Sequence, residues 1–259
     1  MCWGIIVRKT LKDIEFEIAD LGFDSAFERL YSYKDEGCKV DKLIEKLQKK
    51  QNAYEKEYAR VQKMCEYERN AYKKGHRFIG GIDEVGRGPL AGPVVAACVI
   101  LPENIFIEGI NDSKQLSAEK RDYLYDLIRE KAISYGIGMV DEKMIDEVNI
   151  LNATYMAMEA AVKQLKPQPD LLLNDAVKLN NVEIEQIPII KGDCLSISIA
   201  AASIIAKVTR DRLIEEMDST YPEYGFSKNK GYGTKEHIEA IKKYGICPIH
   251  RISFTKNFV

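Results

Sequence analysis

The stretch Gly80-Gly81-Ile82-Asp83-Glu84-Val85-Gly86-Arg87-Gly88-Pro89-Leu90-Ala91-Gly92-Pro93 constrains this chain more than any other. An apolar approach (Phe78, Ile79, Ile82) delivers two adjacent carboxylates, and three glycines and two prolines then crowd around a single arginine. Regular strands and helices are not written this way. Glycine is favoured where φ must be positive or where the backbone lies against a ligand. Gly86-Arg87-Gly88 therefore reads as a turn pressed close to something polar, unless it is only a solvated bend.

From residue 78 onward the texture is that of a mixed α/β domain. Residues 78–84, 93–101 and 132–140 are apolar, β-branched runs that read as strands. Helical spacing marks residues 117–131, opened by the capping Ser117, and residues 152–165, stopped by Lys166-Pro167. Residues 171–173 and 187–190 are short buried strands ending at Asn174-Asp175 and at Lys191-Gly192-Asp193. A long helix over 196–217, a loop over 221–232 and a helix over 234–244 complete the order. Strands linked as a hairpin, then strands alternating with helices, predict a mixed sheet with helices on its faces.

Asp175 and Asp193 each follow an apolar strand, and ligand sites gather at such carboxyl ends. Each alone is also an ordinary turn or cap residue. Together with Asp83 and Glu84 they would form a cluster of like charges that raise one another's pKa. A hard divalent cation, Mg²⁺ or Mn²⁺, relieves that conflict, and oxygen ligands suit it better than zinc. Two such ions would serve in-line displacement at a phosphodiester. One tension remains, because neighbours on a regular strand face opposite ways. Either the strand ends or bulges near Glu84, or Glu84 reaches the metals from the edge.

Gly-Ile-Asp-Glu-Val-Gly-Arg-Gly-Pro-Leu-Ala-Gly-Pro-Val-Val-Ala-Ala, the later strand-end aspartate and the Lys-Gly-Asp resemble ribonuclease HII, the type 2 ribonucleases H, over about residues 74–254. The intact Gly86-Arg87-Gly88 separates that type from its sister type HIII. The resemblance implies an RNase H-like α/β fold, a mixed sheet flanked by helices. It also implies an endoribonuclease that hydrolyses the RNA strand of RNA/DNA hybrids and nicks 5′ of single ribonucleotides embedded in duplex DNA. Two-metal hydrolysis would leave a 3′-hydroxyl and a 5′-phosphate and would serve ribonucleotide removal. Asp83, Glu84, Asp175 and Asp193 then become both catalytic residues and ligands of Mn²⁺ or Mg²⁺.

Substrate contacts are expected at Gly86, Arg87, Gly88, Lys114, Ser203, Lys207, Arg210 and Tyr232. Ser203, Lys207 and Arg210 fall at i, i+4 and i+7, so one helical face could present a hydroxyl and two cations to phosphate, although a solvated face has the same spacing. Lys114 lies in Asn111-Asp112-Ser113-Lys114, which resembles the family's loop near substrate phosphate. Lys228, Lys230 and Lys235 surround Tyr232, which matches the tyrosine that senses the ribose-to-deoxyribose junction. His237 and His250-Arg251 match closing motifs and read as structural or substrate-neighbouring.

Residues 1–75 differ in pattern from 76–259, and the expected domains divide there into a helical extension and a catalytic domain. The extension is slightly basic and the remainder slightly acidic. Apolar positions step helically over 11–21 up to Gly22, again from Phe23 through Leu30 as a short turn, and along a long helix from Val40 to Tyr72, with a break expected near Gln51. No chemistry is assigned to it. A net charge of −2 over 259 residues excludes nucleic-acid binding by bulk positive charge. Six dispersed cysteines write neither a zinc site nor a disulfide framework. The apolar residues 2–7 are too short for a signal core, and with no membrane-length run the expectation is a cytoplasmic monomer.

Overall fold

The computed structural model describes residues 9–258; the apolar residues 2–7 lie outside them. Two compact units divide between Arg60 and Val61. The first contains α1 (Leu11–Ile18), α2 (Phe23–Asp35) and most of α3 (Asp41–Met64). Thr10 and Asp13 form a reciprocal capping box that starts α1. Ile14, Ile18, Ala26, Leu30, Tyr33 and Val40 make a small core of their own. The repeat beginning at Phe23 gives a full helix rather than a short turn.

α3 runs unbroken through Gln51, a good helix former, and the interruption falls at Cys65, before α4 (Glu66–Lys73). There the backbone departs to φ −85°, ψ 8°, at the point where Val61, Met64 and Cys65 are buried in the core of the second unit. Burial, not local propensity, sets the break.

The second unit is built on one five-stranded sheet. β1 (Ile79–Val85), β2 (Val94–Ile100) and β3 (Ser134–Val140) form an antiparallel meander, with α5 (Ala118–Lys131) between β2 and β3. Asp141 caps α6 (Glu142–Val148), and Asn149 caps α7 (Ile150–Lys163). β4 (Leu171–Asp175) and β5 (Glu185–Ile189) then add in parallel on the other side of β1, giving the order β3-β2-β1-β4-β5. α8 (Gly192–Leu195), α9 (Ile197–Thr220), α10 (Phe226–Asn229), α11 (Lys235–Tyr244) and α12 (Ile252–Thr255) follow.

β2 reads Val-Val-Ala-Ala-Cys-Val-Ile and is buried throughout because both faces are covered. Val95, Ala97 and Val99 meet Leu124 and Ile128 of α5 and Ile204 of α9. On the opposite face Ala96 and Cys98, with Ile82, meet Ala157, Met158 and Ala161 of α7. Strand alternation thus assigns Gly81 and Asp83 to the α9 side. Gly81 permits that packing, since a Cβ there would lie 2.1 Å from the Ser198 carbonyl carbon. The first turn of α9 rests directly on the β1 backbone.

Candidate active site

The acidic residues converge because of strand register. β1 and β4 pair in parallel up to Ile82↔Asn174, so Asp83 and Asp175 come next at the same level and project to the same face. β1 stays regularly paired with β2 without a bulge and ends one residue past Glu84, at Val85↔Val95, so the strand ends near Glu84 while Glu84 keeps the strand alternation. Glu84 therefore approaches from the other side of the strand. Asn174 is fully buried; it donates to Gln186 Oε1 at 2.8 Å, and Gln186 in turn bonds Leu179 and Val182. That amide pair fastens the loop leading from β4 to β5.

Asp175 Oδ1 accepts the Gly192 N–H at 2.8 Å, tying the end of β4 to the start of α8, which carries Asp193. Asp83 is buried and its Oδ1 accepts the Glu84 N–H at 2.7 Å; the nearby Ser203 hydroxyl, which opposes the rise of its pKa, lies 2.9 Å from that of Ser113. Asp112 joins from the loop before α5: one of its carboxylate oxygens lies within 4.8 Å of an Asp193 oxygen and of Cys194 Sγ. Sequence reasoning missed Asp112 as a member of this cluster, because no strand precedes it. The Lys114 ammonium stands 3.8 Å from Asp193, on a side chain that is 77% exposed.

The cluster is electrostatically unresolved. Burial, reinforced by Glu84 and Asp175, holds Asp83 well above the ordinary carboxylate range. Burial also raises Glu84, against the opposing pull of Arg87, whose Nη1 is 3.3 Å away. Asp193 is raised by burial, Asp112 and Asp175. Burial alone would lower Lys114, but Asp112, Asp193, Asp83 and Asp175 together raise it. Glu84 Oε2 is buried without a hydrogen-bond partner. An all-oxygen, over-negative donor set with a spare carboxylate oxygen fits a hard divalent cation. Burial raises the Cys194 thiol too, so it remains protonated and a poor ligand for such an ion.

Beside the carboxylates, two buried arginines hold the glycine-rich turn. Arg251 donates to the carbonyls of Gly86, Arg87 and Gly92. Arg210 donates to those of Ala91, Pro93 and Lys230. Arg210 is therefore not available to a phosphate, contrary to the helical-face expectation: it is fully buried and its guanidinium is occupied by main-chain oxygens. The shared face dissolves because the first half of α9 is buried on all sides. The buried Ser203 pairs with Ser113 near Asp83, and Lys207, only 15% exposed, pairs with Asp211 at 2.8 Å. Lys230 is engaged by Glu215 and the Ser227 carbonyl, whereas Lys228 and Lys235 are exposed.

Gly86 and Gly88 differ in kind. Gly86 has φ +92°, and a Cβ there would sit 2.3 Å from Arg210 Nε, so the fold itself demands glycine. A Cβ on Gly88 would meet only Tyr232 Cε1, at 3.9 Å. Internal packing gives no reason for that glycine. Tyr232 is 41% exposed beside it, and its backbone is fixed by a chain of hydrogen bonds whose proton positions can be deduced. The Tyr232 carbonyl can only accept, so His237 Nδ1 carries a hydrogen. His237 Nε2 then accepts from His250 Nε2–H at 3.0 Å, and His250 Nδ1 accepts from the Cys247 N–H. Both rings must be neutral, consistent with burial lowering His237 and bringing His250 to about 4.

A mixed five-stranded sheet, carboxylates at the ends of its central strands and helices on both faces define the RNase H-like class of hydrolases. The family profile described as "Ribonuclease HII" matches residues 80–257, and that described as "Ribonuclease HII N-terminal domain" matches residues 11–72. Proteins named ribonuclease HII from Acetivibrio thermocellus and Clostridioides difficile are 62% and 53% identical, covering 96% and 97% of this chain and 98% and 99% of their own. The crystal structure of ribonuclease H2 from Pyrococcus horikoshii superposes with a TM-score of 0.59 at 30% identity, covering 70% of this chain and 97% of that one. The chain belongs to the ribonuclease HII family, and its activity is that of a ribonuclease H endonuclease. Among the described residues, no helix is long and apolar enough to cross a membrane.

Proposed function

We propose that this chain, acting as a monomer, hydrolyses the RNA strand of RNA/DNA hybrids and nicks 5′ of single ribonucleotides in duplex DNA, removing ribonucleotides from DNA. Asp83, Glu84, Asp175 and Asp193 would hold Mn²⁺ or Mg²⁺, two ions with substrate bound. Held there, such ions would supply charge compensation and water activation for in-line displacement, leaving a 3′-hydroxyl and a 5′-phosphate.

The observation that carries this reading is the adjacency of two unlike devices. Arg87 belongs to the turn that faces Tyr232 across Gly88, and it also pairs with Glu84 of the acidic cluster. Arg251 takes the Gly86 and Arg87 carbonyls, so it is through main-chain N–H groups that the turn would read a 2′-hydroxyl, the group that separates RNA from DNA. The open space at Gly88 lets a sugar approach the backbone. Tyr232 stacks against the next sugar, favouring one without a 2′-oxygen, while Lys114 and Arg87 hold flanking phosphates. Ser203 keeps Asp83 oriented rather than touching the nucleic acid.

The decisive assay compares duplex DNA bearing one ribonucleotide with the same duplex made entirely of DNA. Cleavage of the first, 5′ to the ribonucleotide and dependent on Mn²⁺ or Mg²⁺, is expected. Equal cutting of both duplexes, or none of the first, would refute the reading.

A further inference from the structure

Asp193 sits on α8, a single turn of helix that cannot hold its own orientation in isolation. One end is anchored where the Gly192 N–H reaches Asp175. The other end runs into Ser196, which caps α9 by accepting the Ile199 N–H and whose own N–H returns to the Gly192 carbonyl at 2.8 Å. Ser196 is gripped from outside the sheet. Glu68 of α4 accepts its hydroxyl at 2.5 Å and the Ser198 N–H at 3.1 Å through one carboxylate oxygen, Oε1. Hydrogen bonds thus connect Glu68, Ser196, Gly192 and Asp175 without a gap, with Asp193 inside the span.

We propose that Glu68 is a positioning residue for the metal centre: it locks the junction of α8 and α9 and so fixes where Asp193 presents its carboxylate. The location of Glu68 is unexpected for that task. It lies within residues 11–72, matched by the family's N-terminal domain, yet in space it belongs to the unit that begins at Val61. It is buried, its Oε2 has no partner, and burial raises its pKa. A buried carboxyl with one oxygen left unpartnered costs stability. At this place it satisfies an N–H of the first turn of α9 and faces the positive end of that helix dipole. Groups hydrogen-bonded to metal ligands typically affect metal affinity or activity by about 10- to 100-fold, and Glu68, which acts through Ser196 and Gly192, is held to that range.

The inference rests on Asp193 being a metal ligand, and the test separates the two ideas. In the full chain, Glu68→Ala, Glu68→Gln and Asp193→Asn are compared for cleavage, for Mn²⁺ affinity by calorimetry without nucleic acid, and for thermal unfolding. Glu68→Ala should weaken Mn²⁺ binding and turnover by about 10- to 100-fold at a temperature where it is fully folded. Glu68→Gln, whose amide oxygen can accept both hydrogen bonds, should recover most of the loss. If Glu68→Ala folds too poorly, Glu68→Asp keeps the acid but shortens its reach, and should weaken Mn²⁺ binding in the same direction. In either variant, amide hydrogen exchange of the metal-free protein should speed up over residues 192–198 and stay unchanged in β3. Parental Mn²⁺ affinity and turnover in the folded Ala or Asp variant would overturn the role of Glu68. Parental Mn²⁺ affinity in Asp193→Asn would overturn the ligand assignment itself.

Discussion

The acidic cluster and the turn beside it treat buried charge in opposite ways. Arg210 and Arg251 are both fully buried, yet each guanidinium is occupied by main-chain carbonyls. Asp83 and Asp193 are also buried and Glu84 is half-buried, but neighbouring carboxylates raise the pKa of each, and one Glu84 oxygen has no partner. Charge satisfied internally is scaffold, and charge left over is an invitation to a ligand. Exposure alone would not have separated the two groups. What separates them is where the hydrogen bonds go.

The sharpest way to break this contrast is to neutralise one member of each group. Asp83→Asn or Asp193→Asn should lower single-turnover cleavage by about 10⁴-fold, worth about 5.5 kcal/mol of barrier, while metal-free thermal stability holds or rises because repulsion has been removed. Arg210→Met should do the reverse to stability, costing about 3–5 kcal/mol in denaturant unfolding because buried carbonyls lose their donors. Unchanged stability with weakened duplex binding would return Arg210 to the phosphate-binding set.

A smaller effect follows from pH. The folded-state pKa values of Asp83, Glu84 and Asp193 lie above their unfolded values, so the unfolded chain releases those protons first. Their contribution to metal-free stability is complete below the ordinary carboxylate range and is lost as pH rises through the elevated folded values. Mn²⁺ should therefore raise the melting temperature more at pH 8 than at pH 5. An equal rise at both would show that the cluster does not hold the ion.

The two glycines of the turn provide a finer comparison. Gly86→Ala should destabilise by about 1–3 kcal/mol through its positive φ and the Arg210 contact. Gly88→Ala should leave stability within about 0.5 kcal/mol yet slow cutting at a lone ribonucleotide, as steady-state assays on that substrate would reveal. The smallest change is expected for Arg87→Ala. That side chain is 46% exposed, and its loss should reduce the slope of log binding constant against log salt by about one.

The strands were legible because they are apolar runs punctuated by glycine, proline and acids, but the parallel register that sets Asp83 level with Asp175 was not, since it depends on pairing distant in sequence. The helix cap at Ser117 was equally plain, since local chemistry decides it. Arg210 was not legible. An arginine bonded to carbonyls and one bonded to phosphate occupy the same helical spacing, and only tertiary burial tells them apart. The break at Cys65 and the reach of Glu68 to Ser196 failed to show for the same reason, as each depends on contacts distant in sequence. Asp112 offered no periodic signal, because it lies in a loop whose position is set by its neighbours.

The parallel pairing of β1 with β4 also bears on how the protein is born. A ribosome delivers Asp83 and Glu84 early, on a strand that can close with β2 and β3 through comparatively short connections, but Asp175 arrives only after α7 has been made. Closing that distant pair is slower than closing the meander. A chain still growing through α7 therefore carries half an acidic centre and has no partner level on which to complete it. A divalent ion held as proposed by these carboxylates would have to wait for β4 and α8, and its binding would then favour sealing the sheet.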